Sequence, residues 1–296
     1  MNYILFNYGN TPDYIKYTLN SIKSVDPDSE IYFLSNRKNN FKNLNNLYFS
    51  DFPALNEKKD FLIDYYDNTP YSKEKYPLFF TSALRIYALH EISNRLKIDS
   101  FIHFDNDVLI YKSFKELNRN KLFVKDKINI TQSNFNDLLF GYSYFPTNIL
   151  TKKLIEEFDS LLKNIDSLTK HYGKGSPLHE MRMLNIIKEK NDDMFNILPS
   201  LPYSSDINII FDPASYGQFF NGMHHRRGNY IFRRRQVNPN EIIGSEITSK
   251  RLKPVFKDNK PKVIENKKSF EIANLHIHSK NLNRFLPANY KEHVNF

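Results

Sequence analysis

Apolar residues fall along this chain in short clusters whose spacing alternates between strand-like and helix-like. Tyr3-Ile4-Leu5-Phe6 is an unbroken apolar run, the mark of a strand buried on both faces, and it passes into the polar loop Asn7-Tyr8-Gly9-Asn10-Thr11-Pro12. Thr11 and Pro12 have the chemistry of an N-cap and a first helical residue, so a helix is expected to open there and run to about Ser24. Ile31-Tyr32-Phe33-Leu34 is a second strand, ending in Ser35-Asn36, and Leu47-Tyr48-Phe49 a third. Strand, helix and strand at this spacing predict a βαβ unit and a parallel sheet. Between about Pro77 and Lys97, Leu84, Ala88, Ile92 and Leu96 recur every four residues, the buried stripe of an amphipathic helix. That helix leads into the strand Ser100-Phe101-Ile102-His103-Phe104, and further helices are expected from Thr151 to about Asn164 and from Pro177 to about Lys190. Pro199, Pro202, Pro213, Pro239, Pro254, Pro261 and Pro287 divide the last third into short pieces, so an irregular C-terminal elaboration is expected there.

No repeat or low-complexity linker divides the 296 residues, a length that one enlarged α/β domain accommodates. The absence of cysteine excludes a disulfide framework, a thiolate zinc site and a cysteine nucleophile, so any metal is held by oxygen and imidazole. The N-terminal apolar run lacks the basic flank and length of a secretion signal, and no stretch approaches the roughly 20 apolar residues of a membrane span. A cytoplasmic location is therefore expected. The net charge of +9 is concentrated late, in Arg226, Arg227, Arg233, Arg234 and Arg235 and again from Lys250 to Lys268. The cluster lacks the regular aromatic interleaving of a nucleic-acid platform; peripheral contact with an anionic membrane fits it better, and a solvated basic face is the plainer alternative.

The most informative residues are Asp105 and Asp107, in Phe-Ile-His-Phe-Asp-Asn-Asp-Val-Leu-Ile. Two carboxylates ending a buried strand are costly unless they face a cation or a cleft. In an open parallel sheet, the carboxyl ends of the strands are where ligands bind. Mn²⁺ and Mg²⁺ suit carboxylate oxygens and leave positions for ligand phosphates. Downstream, Ile272-Ala273-Asn274-Leu275-His276-Ile277-His278-Ser279-Lys280 alternates as a strand, which puts His276 and His278 on one face. Either imidazole can complete a coordination sphere begun by carboxylates, and Lys280 can reach a phosphate.

An apolar strand closing in Asp-x-Asp resembles the GT-A glycosyltransferases, and the match is sharpest around residues 82 to 110 and 272 to 281. The resemblance implies a Rossmann-like, mixed but mainly parallel sheet flanked by helices. It implies one catalytic domain, with a nucleotide-binding half over 1–110 and an acceptor-binding half, including the metal-binding strand, over 111–296. It implies transfer of a sugar from a nucleotide-sugar donor, UDP-linked by preference, to a glycan or lipid-linked acceptor, as in bacterial polysaccharide assembly. Asp107 would be the principal metal ligand, Asp105 would contact metal, ribose or sugar, and His278 is favoured over His276 as the imidazole ligand, with Lys280 at the phosphate. The segment lacks the glycine of the family's better-known His-x-Gly-x-x-Lys pattern.

The same resemblance nominates Arg85 for the donor phosphate or sugar, and Tyr8, Gly9 and Asn36 for base and ribose. Glu180 would be a general base or a donor-sugar contact, and residues 141–145 the wall behind the sugar. Separately, residues 212–228 read as an unusually polar loop with small residues at its bends, the kind that carries specificity, so Asp212 and Gln218 could bind sugar hydroxyls, although no spacing fixes them. Two other readings stay open: a nucleotidyltransferase on a similar scaffold, and a non-catalytic basic module that binds acidic polymer or membrane. No Gly-rich, basic phosphate loop follows the first strand, which counts against the former.

Overall fold

The computed structural model describes residues 1–67, 77–172, 178–221 and 237–295. The first half builds the expected parallel unit. Strand β1 (Asn2–Asn7) is followed by helix α1 (Ile15–Val25), then β2 (Glu30–Ser35), β3 (Asn45–Tyr48), α2 (Pro53–Asp67), α3 (Pro77–Arg95) and β4 (Phe101–His103). Helix α1 starts later than its sequence suggests. Residues Pro12 to Ile15 form a turn, and the Thr11 hydroxyl hydrogen-bonds Asn39 Oδ1 at 2.7 Å instead of capping the helix. Leu84, Ala88 and Ile92 are buried along α3 as the spacing predicts, whereas Leu96 lies past the helix end and is exposed.

The second half adds β5 (Val108–Ile110), α4 (Phe114–Arg119), β6 (Ile128–Asn134), β7 (Asp137–Phe145), α5 (Ile149–Lys163), α6 (Ile165–Tyr172) and α7 (Glu180–Lys190). Next come β8 (Phe195–Ile197), β9 (Ile209–Ile210), α8 (Ser215–Asn221) and α9 (Ile242–Thr248). The chain ends with β10 (Lys253–Lys257), β11 (Lys260–Glu265), β12 (Lys268–Ile272) and β13 (Asn274–His276). The main sheet has seven strands in the order β3-β2-β1-β4-β7-β6-β8. The side from β3 to β4 is parallel, β7 runs antiparallel to both its neighbours, and β6 pairs with β8 in parallel. One face packs on α2, α3, α5 and α7 through residues such as Phe80, Leu84, Phe158 and Leu184; the other receives Ile15, Leu19 and Ile22 of α1. This is the mixed, mainly parallel α/β architecture that the strand and helix pattern of the sequence leads one to expect.

The last third is more regular than its prolines suggest. Strands β10, β11, β12 and β9 form a second sheet, and β13 pairs antiparallel with β5 in a two-stranded ribbon. Pro254 lies on edge strand β10 and Pro261 near the start of β11, positions that tolerate a missing N–H. The predicted strand from 272 to 280 is shorter. Its chain leaves the second sheet at Ala273, whose N–H donates to Ile210 and whose carbonyl accepts from Tyr111, forms β13, and turns after His276.

Candidate active site

The Asp-Asn-Asp turn between β4 and β5 is pinned on every side. The Asp105 N–H donates to the Phe140 carbonyl at 3.0 Å, the Asn106 amide donates to Phe6 at 2.8 Å, and the Thr18 hydroxyl donates to the Asn106 carbonyl at 2.7 Å. The turn therefore sits at the carboxyl ends of β1 and β4. Pairing of β13 with β5 carries His276 opposite Val108 and so over the same turn.

Asp105, Asp107 and His276 each turn one ligand atom to a common point, all three within 4.8 Å of one another. His276 Nε2 lies 3.1 Å from Asp107 Oδ1 and 3.7 Å from Asp105 Oδ2. Its Nδ1 is 2.8 Å from the Pro213 carbonyl, which can only accept, so Nδ1 carries a proton and Nε2 faces the carboxylates. Burial opposes charge on this ring, yet Asp107 and Asp105 push it up to about 9. Burial would likewise raise Asp107, but His276 and Lys280 hold its carboxyl well below the usual range. Two carboxylates and an imidazole could hold a divalent cation, which would take the place of the proton on Nε2.

Arg85, on the α3 face turned to the turn, pairs with Asp105 Oδ1 and, at 3.0 Å, with Glu180 Oε1. Glu180 is buried at the first residue of α7, and burial, countered in part by Arg85, pushes its carboxyl up to about 7. Lys280 Nζ pairs with Asp107 Oδ2 and stands 5.5 Å from the centre of the Tyr14 ring. These groups line a cavity of ≈ 580 Å³ that also touches Tyr8, His103, Asp137, His179 and His278.

Of the nominated residues, the structure brings Asp105, Asp107, His276, Lys280, Arg85 and Glu180 together. His276, not His278, enters the ligand cluster; the His278 ring packs against His276 with centroids 4.5 Å apart, and burial with that neighbour pushes it down to about 4. Tyr8 lines the cavity, while Gly9 and Asn36 tie the loops after β1 and β2 together through a 2.6 Å bond from the Gly9 N–H to Asn36 Oδ1. Gly9 takes φ 104°, a backbone that a side chain resists. From β7, Asp137 and Leu139 line the cavity, whereas Gly141 lies beneath Pro213. Arg226, Arg227, Arg233, Arg234 and Arg235, and Pro177 at the expected start of a helix, lie outside the described residues.

Asp212 and Gln218 are both buried and hydrogen-bonded within the protein. The buried Asp212 carboxylate accepts from the N–H groups of Tyr216, Gly217 and His276 at 2.9, 2.8 and 3.0 Å. Gln218 Oε1 accepts from the Asn238 N–H at 3.1 Å. Asn274, which sequence reasoning passed over, ties β13 to β7 and to the loop after β9: its amide donates to Gly141 and Asp212 at 3.0 and 2.7 Å, and its oxygen accepts from the Asp212 N–H at 3.0 Å. A buried asparagine between apolar neighbours was the one sequence signal for that role. Asp137, bonded to Arg182 at 2.7 Å and to Asn134 at 2.7 Å, forms a far polar wall that no motif marks.

No protein-family model and no curated protein matches the chain. Among solved structures, apo mouse xyloside xylosyltransferase 1 matches at 14% identity and a TM-score of 0.45, covering 67% of this chain and 86% of that one. LgtC, a galactosyltransferase in complex with donor and acceptor sugar analogues, matches at 13% and 0.41, covering 79% and 82%. The glycosyltransferase GlyE of Streptococcus pneumoniae TIGR4 matches at 11% and 0.37, covering 67% of this chain and only 44% of GlyE.

Proposed function

We propose that the protein is a metal-dependent GT-A-type glycosyltransferase that moves a sugar from a nucleotide-sugar donor, UDP-linked by preference, to a carbohydrate acceptor. The observation that carries this reading is the convergence of Asp105, Asp107 and His276 on one point, flanked by Lys280 and Arg85, in a cavity at the carboxyl ends of β1 and β4. The described residues then act as one catalytic unit, 1–110 supplying the carboxylates and 111–296 the imidazole, the lysine and the acceptor side.

A Mn²⁺ or Mg²⁺ ion held by these three residues would neutralise charge that builds on a leaving diphosphate. The chain's own groups do the rest. Lys280 offers an ammonium to a diphosphate oxygen, and Tyr8 and the Gly9–Asn36 loop pair shape the nucleotide end. Arg85, fixed between Asp105 and Glu180, presents its guanidinium to donor phosphate or sugar. Glu180 orients Arg85 and, with a carboxyl pushed up to about 7, would in its ionised form take a proton from an acceptor hydroxyl in an inverting reaction, or contact the donor sugar in a retaining one. A lipid-linked acceptor at the inner face of a membrane, in glycan assembly, agrees with the basic C-terminal region. The test is product analysis with a panel of nucleotide sugars and Mn²⁺. Release of nucleoside diphosphate with a glycosylated product is expected; release of pyrophosphate would assign nucleotidyl transfer and overturn the proposal.

A further inference from the structure

The two carboxylates of the site are not engaged alike. Asp105 gives Oδ1 to Arg85 and leaves Oδ2 directed at His276, so it can accept a cation without losing its arginine. Asp107 has both oxygens taken, Oδ1 by His276 and Oδ2 by Lys280. Arg85 is also anchored by Glu180, whereas Lys280 has no second carboxylate among the described residues; its other neighbour is the Tyr14 ring. The two cations therefore differ in how many carboxylates hold them. Arg85 is a built-in counter-charge, and Lys280 a partly exposed one on a long stem.

The backbone agrees. Lys280 sits in a turn with its N–H bonded to the Ile277 carbonyl at 2.9 Å and with φ 65°, a left-handed conformation that costs a side chain roughly 1 kcal/mol. That turn aims the stem back over Asp107 and Tyr14, along the wall of the cavity in which a diphosphate would lie.

We propose that Lys280 is an internal counter-cation that holds Asp107 until a diphosphate draws it away, so that metal and diphosphate binding are coupled through this one side chain. Lys280 and a dication compete for the same carboxylate. A diphosphate, carrying more negative charge than Asp107, takes the ammonium, frees Oδ2, and so raises affinity for the metal; by linkage the metal raises affinity for the diphosphate by the same factor. The inference rests on the metal site of the proposed function, but not on sugar transfer.

The test is titration of the full chain with Mn²⁺, free ion being read by electron paramagnetic resonance, with and without UDP, for wild type, Lys280→Met and Lys280→Arg. Without UDP, Lys280→Met should bind Mn²⁺ about five- to tenfold more tightly than wild type, the weight of one charge-assisted bond removed from competition. The enhancement that UDP gives wild type should shrink by a similar factor in Lys280→Met and persist in Lys280→Arg. Mn²⁺ affinity in Lys280→Met no higher than in wild type, or an undiminished UDP enhancement, overturns the lock. Asp107→Asn serves as the control: binding that survives it places the ion elsewhere and overturns the metal site together with the lock, whereas binding lost there and unchanged in Lys280→Met removes the lock alone.

Discussion

His276 and His278 differ by two residues in sequence and by their whole chemical setting in the structure. The former has Nδ1 fixed by the Pro213 carbonyl and Nε2 facing two carboxylates; the latter packs edge-on against it in a desolvated position that disfavours charge. His276→Ala should therefore weaken Mn²⁺-supported nucleotide binding by tenfold or more, within the range of lost metal ligation and its support. His278→Ala should cost far less, and calorimetric titration of both variants would show the order; the reverse order would restore His278 as the ligand. Glu180 gives a second residue-scale prediction, with its sign set by burial. Because its carboxyl is pushed up to about 7, the folded chain binds more protons than the unfolded one between the ordinary glutamate range and pH 7. Its contribution to stability is therefore greatest at low pH and falls as pH rises through that window, by about 3 kcal/mol at most. Glu180→Gln keeps an acceptor for Arg85 and removes the titration. Relative to wild type it should gain stability between pH 5 and pH 8 in denaturant unfolding, and a pH-independent difference would show that Glu180 is not desolvated as the structure has it.

At the scale of elements, the site depends on how closely α8 approaches β13. A Cβ on Gly217 would lie 2.0 Å from the His276 carbonyl oxygen, and one on Gly141 would lie 2.4 Å from the Pro213 carbonyl oxygen. Both glycines serve contact between backbones. Gly217→Ala should destabilise the fold by about 1–3 kcal/mol through overpacking. Since it pushes on His276 itself, it should also weaken Mn²⁺ binding at temperatures where the fold persists; a shift in Tm without loss of metal affinity would mean that β13 yields elsewhere. This dependence explains what the sequence could and could not convey. Strand β1, helix α3 and the Asp-x-Asp turn were legible because each is a local pattern: a buried run, a four-residue stripe, charges where a strand ends. The second sheet was hidden because Pro254 and Pro261 read as breaks, and whether they break a strand depends on which partner needs their N–H. That His276 rather than His278 faces the carboxylates was hidden for a related reason. Alternation puts both imidazoles on one face, and only the end of β13 and the carbonyl of Pro213, 63 residues away, separate them. Asp212 looked like a ligand because it lies in a polar segment with small residues at its bends; the structure has its carboxylate accept from three backbone N–H groups.

At the scale of the whole molecule, the +9 charge is partly gathered on one face of the second sheet. Register places Lys253 opposite Ile264, Val255 opposite Lys262, and Lys257 opposite Lys260, so four lysines and an exposed isoleucine share the outer side while Pro254, Val263 and Phe270 point inward. Lys257 and Lys260 are like charges placed directly opposite, an arrangement that costs stability unless an anion covers it. The carboxylate among the paired residues of this face, Glu271, is engaged by Lys112. No helix among the described residues is long and apolar enough to cross a membrane. Strand β12 of this sheet runs through Ala273 into β13 and His276, which joins the basic face to the site by continuous chain. Each lysine near an anionic bilayer contributes about 1 kcal/mol, and the contribution fades as ionic strength shortens the reach of charge. Replacing Lys253, Lys257, Lys260 and Lys262 with Gln should therefore lower binding to phosphatidylserine vesicles at least a hundredfold at low salt. It should leave Mn²⁺ and UDP binding intact, because the substituted side chains lie outside the cavity. Cosedimentation across a salt series is the measurement. Vesicle binding that the four substitutions leave unchanged would mean that this face is only solvated, and that any membrane contact is made by another part of the chain.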